Sequence, residues 1–106
     1  MELRFAVTAP DFRAAGQQVL EDLEAYALRK GWRVADDSAE GVRISFGREQ
    51  GAGWLLLRMS VHDPVLPLNI ESDLPGGCRT IAAAFAPFIR GEANIDCGKF
   101  NAYLGE

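Results

Sequence analysis

Between two apolar runs the chain reads Arg58-Met59-Ser60-Val61-His62-Asp63-Pro64, and these residues are equipped to hold an anion. Arg58 offers a planar guanidinium whose N–H groups match two oxygens of one phosphate. Ser60 can donate its hydroxyl. The N–H groups of Val61, His62 and Asp63 can line a concave nest if the turn curls suitably. His62 can donate a neutral N–H, or become cationic as an anion approaches. The candidate binding residues are therefore Arg58, Ser60, Val61, His62 and Asp63, with no catalytic group among them. Each also has a plain structural reading. Arg58 can be a strand-end arginine, Ser60 a turn cap, His62 a surface histidine and Asp63 a turn former before proline.

Such a loop needs rigid elements on both sides. Before it, Val42, Ile44 and Phe46 alternate with Arg43 and Ser45, which predicts a half-buried strand. Trp54 to Met59 is a nearly continuous apolar run and predicts a central strand, joined to the previous one by the glycine-containing connection Gly47–Gly51. After the loop, Val65 to Glu71 predicts another strand. Pro67 has no N–H for a ladder, so this strand is expected at an edge or irregular there.

The remaining elements follow from periodicity. Leu3, Phe5 and Val7 alternate in a first strand. Phe12, Ala15, Val19, Leu23, Tyr26 and Ala27 form one stripe of a helix over 10–30, with Pro10 in its first turn and Gly31 as its stop. Trp32 to Val34 is a short extended piece, followed by a polar turn over Asp36–Gly41. Ile81, Ala84, Phe85, Phe88 and Ile89 mark a second helix. Ser72 or Asp73 would cap it, Pro75 would lie in its first turn, and Pro87 would loosen its last turn. Residues 92–106 read as a tail in which Phe100, Tyr103 and Leu104 could add a short helical turn. The expected fold is α+β in the order β-α-β-β-β-α: a four-stranded antiparallel sheet with two helices on one face. Residues 1–91 would be the domain.

Composition narrows the classes. With 48% apolar and 25% charged residues in 106, the chain has the make-up of one folded domain and not of a disordered segment. A net charge of −4 and a pI of about 4.9, with lysines and arginines scattered among acids, argue against nucleic acid as a partner. The two cysteines, Cys78 and Cys97, and the single histidine have no metal-ligand spacing, so no metal is expected in this chain. Reduced thiols and a cytoplasmic location are expected. No apolar stretch reaches the roughly 20 residues of a membrane span, so no membrane partner is expected.

One resemblance adds to this reading. Gly41-Val42-Arg43-Ile44-Ser45-Phe46, Gly53-Trp54-Leu55-Leu56-Leu57-Arg58, Ser60, Asp63-Pro64 and Leu68-Asn69-Ile70-Glu71 together resemble the C-terminal domain of the α-D-phosphohexomutases, the phosphoglucomutase and phosphomannomutase enzymes. The resemblance is close over 41–71 and compatible in element order up to the tail. It implies a TBP-like fold and a loop that binds the phosphate of a phosphosugar, with Arg58 and Ser60 as direct contacts. Departures fall in the same loop and beyond it: Val61 in place of Gly or Asn, His62 of Thr, Asp63 of Glu, and Pro67 of Arg. In that family, other domains supply the phosphorylated serine, the magnesium ligands and the sugar-recognition loop. The chain would then not be catalytic alone. It would be a fragment partnered by the remaining mutase domains, or a free-standing relative. A degenerate binding or assembly module with the same fold is the alternative.

Overall fold

The computed structural model describes residues 1–36 and 41–106. In chain order its strands and helices are β1 (Glu2–Val7), α1 (Phe12–Lys30), β2 (Arg33–Val34), β3 (Gly41–Phe46), β4 (Gly53–Arg58), β5 (Val65–Ser72), α2 (Gly77–Arg90), β6 (Ile95–Asp96) and α3 (Gly98–Leu104). The polar turn expected over Asp36–Gly41 falls mostly at 37–40, outside the described residues.

The α+β class and the antiparallel sheet are as expected, but the sheet has six strands, ordered β2-β3-β4-β5-β1-β6. The two extra strands are two-residue edges. Arg33 and Val34 pair with Ser45 and Ile44, and Ile95 and Asp96 pair with Val7 and Ala6. Runs this short carry no periodicity, so only their neighbours define them.

Burial on one face sets the register. Phe5, Val42, Ile44, Phe46, Leu55, Leu57, Leu66, Leu68 and Ile70 are all buried, and they alternate with residues on the opposite, open face. Val19, Leu20, Leu23 and Ala27 of α1, with Ile81, Ala82, Phe85, Ala86, Phe88 and Ile89 of α2, complete one core with them.

Helix ends depart from the expected caps in instructive ways. Asp11 is the N-cap of α1, its Oδ1 accepting the Ala14 N–H at 3.1 Å, and Pro10 precedes the cap. Gly31 closes α1 with a φ of 74°, which glycine adopts without strain. Neither Ser72 nor Asp73 caps α2. Ser72 stays in β5, donates its hydroxyl to the Gly51 carbonyl and accepts the Leu74 N–H. The helix starts at Gly77 after Gly76, which turns the chain at a φ of 74°. Gly77 is buried there, and glycine is needed because a Cβ would strike Ser72 Oγ and the Gly51 carbonyl. Pro87 is absorbed within α2, and the end tightens: Gly91 and Glu92 donate to Phe88 and Ile89, three residues back.

Pro67 does not mark an edge. β5 lies between β4 and β1, with Pro67 opposite Arg4. The reciprocal Met1–Ile70 bonds and the Val7 N–H to Pro64 carbonyl bond put the even residues of β5 in hydrogen-bonded pairs with β1. The nitrogen of Pro67 therefore faces β4, whose ladder has ended at the Leu57–Leu68 pair. The proline is tolerated because the ladder on that side stops beside it.

The segment expected as a tail is part of the core. Phe100 is fully buried, 5.5 Å from the Phe5 ring and 5.9 Å from that of Phe85. Arg79 of α2 donates to the carbonyls of Tyr103 and Leu104, and Arg90 pairs with Glu106 at 2.8 Å. The Phe100 ring supplies most of the anchoring, because exposed ion pairs contribute little. Phe100→Ala is expected to destabilise the domain by about 3–5 kcal/mol. Urea unfolding checks this, and an unchanged midpoint would mean that α3 does not share the core.

Candidate functional site

The open face of the sheet carries the polar chemistry. On it lie Glu2, Arg4 and Ala6 of β1, Pro67, Asn69 and Glu71 of β5, Trp54, Leu56 and Arg58 of β4, and Arg43 and Ser45 of β3. Their order follows from the register. Arg43, Leu56, Asn69 and Glu2 form one row, in which Asn69 Nδ2 donates to Glu2 Oε2 at 2.9 Å. The Arg43 guanidinium lies 4.2 Å from the Trp54 ring centroid, so Trp54 is a packing partner for a cation on this face. Trp32 is instead wedged between Tyr26 and Phe46.

The next row contains Arg58. Gly41 stands opposite it in β3, and continuing the β4–β5 register one step puts Pro67 on its other side, with Arg4 beyond. Gly41 is required, since a Cβ there would meet the Leu57 carbonyl and the Arg58 backbone. Strands lie about 4.8 Å apart, so the Cα atoms of Arg58 and Arg4 are separated by about 10 Å. Pro67 lies between them and is buried although it sits on the open face. The Arg58 side chain has no hydrogen bond or ion pair with any described residue.

Past Arg58, Met59 turns inward, and its sulfur occupies the space that a side chain at Gly16 would need. Alternation carried one step further puts Ser60 on the Arg58 side, where the Ser60 N–H donates to the Val65 carbonyl at 3.3 Å. Ser60 Oγ accepts the Asp63 N–H at 3.3 Å, and the Asp63 carbonyl accepts the Val65 N–H at 2.8 Å. Arg13 of α1 holds the turn from the other side by donating to the Val61 carbonyl at 3.2 Å. Val61, His62 and Asp63 are exposed, Val61 at 69%.

The structure thus brings Arg58 and Ser60 to one side of the sheet and leaves Val61 and His62 at the tip of the turn. The expected nest is not formed. A nest alternates right- and left-handed backbone, and Ala52 is the only described non-glycine residue with a positive φ. The Asp63 N–H is already committed to Ser60. What remains for an anion is the guanidinium of Arg58, the donor hydrogen of Ser60 and the exposed N–H groups of Val61 and His62, which make no bond to a described residue.

Two features escape sequence reasoning. Arg4 joins the row of Arg58 only through the long-range β1–β5 pairing. Glu92 lies with Asp22, Tyr26, Arg29 and Phe88 around a cleft of about 320 Å³ between α1 and the end of α2. Burial there, then a hydrogen bond with Asp22 and the repulsion of its charge, raises the Glu92 carboxyl from an ordinary 4.5 to about 7. Gln18 Nε2 donates to Asp22 Oδ1 at 2.9 Å and helps to fix that partner. Glu92 thus makes a local pH-sensitive contact away from the loop.

Among the described residues no three His, Cys, Asp or Glu side chains gather to hold a metal ion, and no helix is long and apolar enough to cross a membrane. Cys78 and Cys97 are both free thiols. Comparison with protein-family models and with curated proteins finds no match to this chain.

Stability should report the Glu92 contact. From pH 4.5 to about 7 the folded chain retains a proton that the unfolded chain has released, so stability falls as pH rises through this window. The partly exposed position limits the loss to about 1 kcal/mol. Glu92→Gln should flatten this part of the profile in urea melts taken at pH 5 and pH 8. An unchanged slope would show that another group titrates.

Proposed function

We propose that this chain is the phosphate-gripping domain of a sugar-phosphate mutase of the α-D-phosphohexomutase type, with a TBP-like fold. One observation carries the reading. Arg58 ends a central strand on the open face, without a carboxylate partner among the described residues, and Ser60 follows on the same side. A guanidinium beside a hydroxyl at a strand end suits a phosphate monoester. The antiparallel sheet, its covered face and the rigid strands around the loop support the same reading, because a phosphate grip must be held in position.

On this reading the loop supplies positioning and charge stabilisation only. Phosphoryl transfer also needs a nucleophile and a metal, which belong to further domains of such an enzyme. Arg58 would hold the substrate phosphate away from the reacting one, Ser60 would add one hydrogen bond, and His62 at the tip would approach the ligand when other domains close the cleft. Closure would also exclude water and strengthen these contacts. The exposed Val61, the absent nest and the commitment of the Asp63 N–H favour a second reading, an assembly module that retains the fold without the grip.

Amide NMR during titration with glucose 6-phosphate tests the proposal. Hydrogen bonds to charged groups are worth about 1.5–3 kcal/mol each, so two of them in an open loop give millimolar affinity at best. Shifts are expected at residues 58–63, and Arg58→Gln should weaken them about tenfold. If those amides respond equally in the wild-type chain and the variant, or do not respond up to about 100 mM ligand, the grip reading fails.

A further inference from the structure

We propose that a cleft bordered by Arg4 and Lys99, towards the β6 edge of the open face, is a separate binding site for a small hydroxylated phosphate monoester. It is distinct from the loop at 58–64 and does not depend on the reading of that loop. The cleft has a volume of about 400 Å³ and is lined by Arg4, Ala6, Val65, Asp96, Gly98 and Lys99. This is within the range of small-ligand sites.

The hollow comes from residue size at three paired positions. Asp96, Ala6 and Val65 face one another across β6, β1 and β5. Ala6 presents only a methyl group at the centre of this row, so the floor is low and apolar. Arg4 rises from the adjacent position of the open face in β1, and Lys99 comes from the beginning of α3. Burial of Phe100 holds α3, and therefore Lys99, against this edge of the sheet.

Charge selects the ligand. Arg4 and Lys99 border one cleft, and neither forms an ion pair or a side-chain hydrogen bond with a described residue. The one carboxylate present, Asp96, is turned to the backbone: its Oδ1 accepts the Gly98 N–H at 2.8 Å. It neutralises neither cation within ion-pair distance. Two cations against one carboxylate leave the cleft net positive over an apolar floor, which favours an anion, and the planar fork of Arg4 matches a phosphate. The second oxygen of Asp96 repels a further negative group and can accept from a hydroxyl. A phosphate on a short polyol or sugar meets all of these conditions, whereas a dicarboxylate would set its second charge against Asp96.

Amide NMR of the full chain during parallel titrations with glycerol 1-phosphate and inorganic phosphate tests the site. The expected result is a cluster of shifts at residues 4–6, 65 and 96–99, with the ester binding tighter than inorganic phosphate. Arg4→Gln and Lys99→Gln should each weaken the ester roughly tenfold, while Arg58→Gln leaves these shifts in place. Both cleft side chains are solvent-facing, so unchanged spectra elsewhere verify folding, and either variant suffices if the other fails. Absence of shifts in this cluster, or shifts that survive both cleft substitutions, overturns the site. Equal binding of the two probes, unchanged by Asp96→Asn, overturns the assignment to a hydroxylated ester.

Discussion

Burial of one sheet face beneath α1, α2 and α3 is the constraint on which the rest of the structure depends. Side chains alternate across a strand, so a slip of one residue would exchange the entire core set for the polar set. Leu55 and Leu57, fully buried, hold β4 in place, and the position of Arg58 on the open face follows from theirs. The same holds for Phe5 and Arg4 in β1. The polar face is thus a consequence of the apolar one, and candidate ligand groups are positioned by side chains that never touch a ligand.

Much of this was legible in local pattern. The alternation in β1, β3 and β5, the stripes of α1 and α2, and Gly31 as a stop are short-range signals, and the helices and long strands lie where those signals put them. Long-range pairing was not legible. Pro67 suggested an edge or an irregular ladder because a missing N–H normally excludes a regular central strand; β5 is central, and the ladder with β4 breaks off beside the proline. The parity of the β1 ladder turns the proline nitrogen towards the side where β4 has ended, and no local rule carries that information. Phe100 likewise read as a turn in a tail because its stripe is short. Its value comes from Phe5 and Phe85, which are remote in sequence.

The site was legible as a list of residues and much less so as geometry. Arg58 and Ser60 share a side of the sheet because alternation continues past the strand end. Val61 and His62 do not join them because the turn closes on itself through Ser60 Oγ and is held by Arg13. A serine read as an anion donor is also a turn acceptor. The two roles are compatible, since a hydroxyl accepts through its lone pairs and donates its single hydrogen elsewhere. The amide of Asp63 has no such second capacity, and for that reason the expected nest loses a donor while the hydroxyl keeps its own.

Charge shows most clearly what a linear reading misses. An acidic chain with scattered arginines has no basic patch in sequence, but alternation sorts those arginines by face. Arg4, Arg43 and Arg58 all occupy the open face, and Arg33, paired with Ser45, joins them at its edge. The acids of α1, among them Glu21 and Glu24, lie on the outer surface of the opposite layer. The net charge of −4 is therefore an average over two unlike surfaces. Glu2 and Glu71 keep the open face from being uniformly basic, and Glu2 is tied to Asn69. The row of Arg58, Pro67 and Arg4 contains no such acid. Pro67 adds no charge to that row, and the Cα atoms of its two arginines are about 10 Å apart.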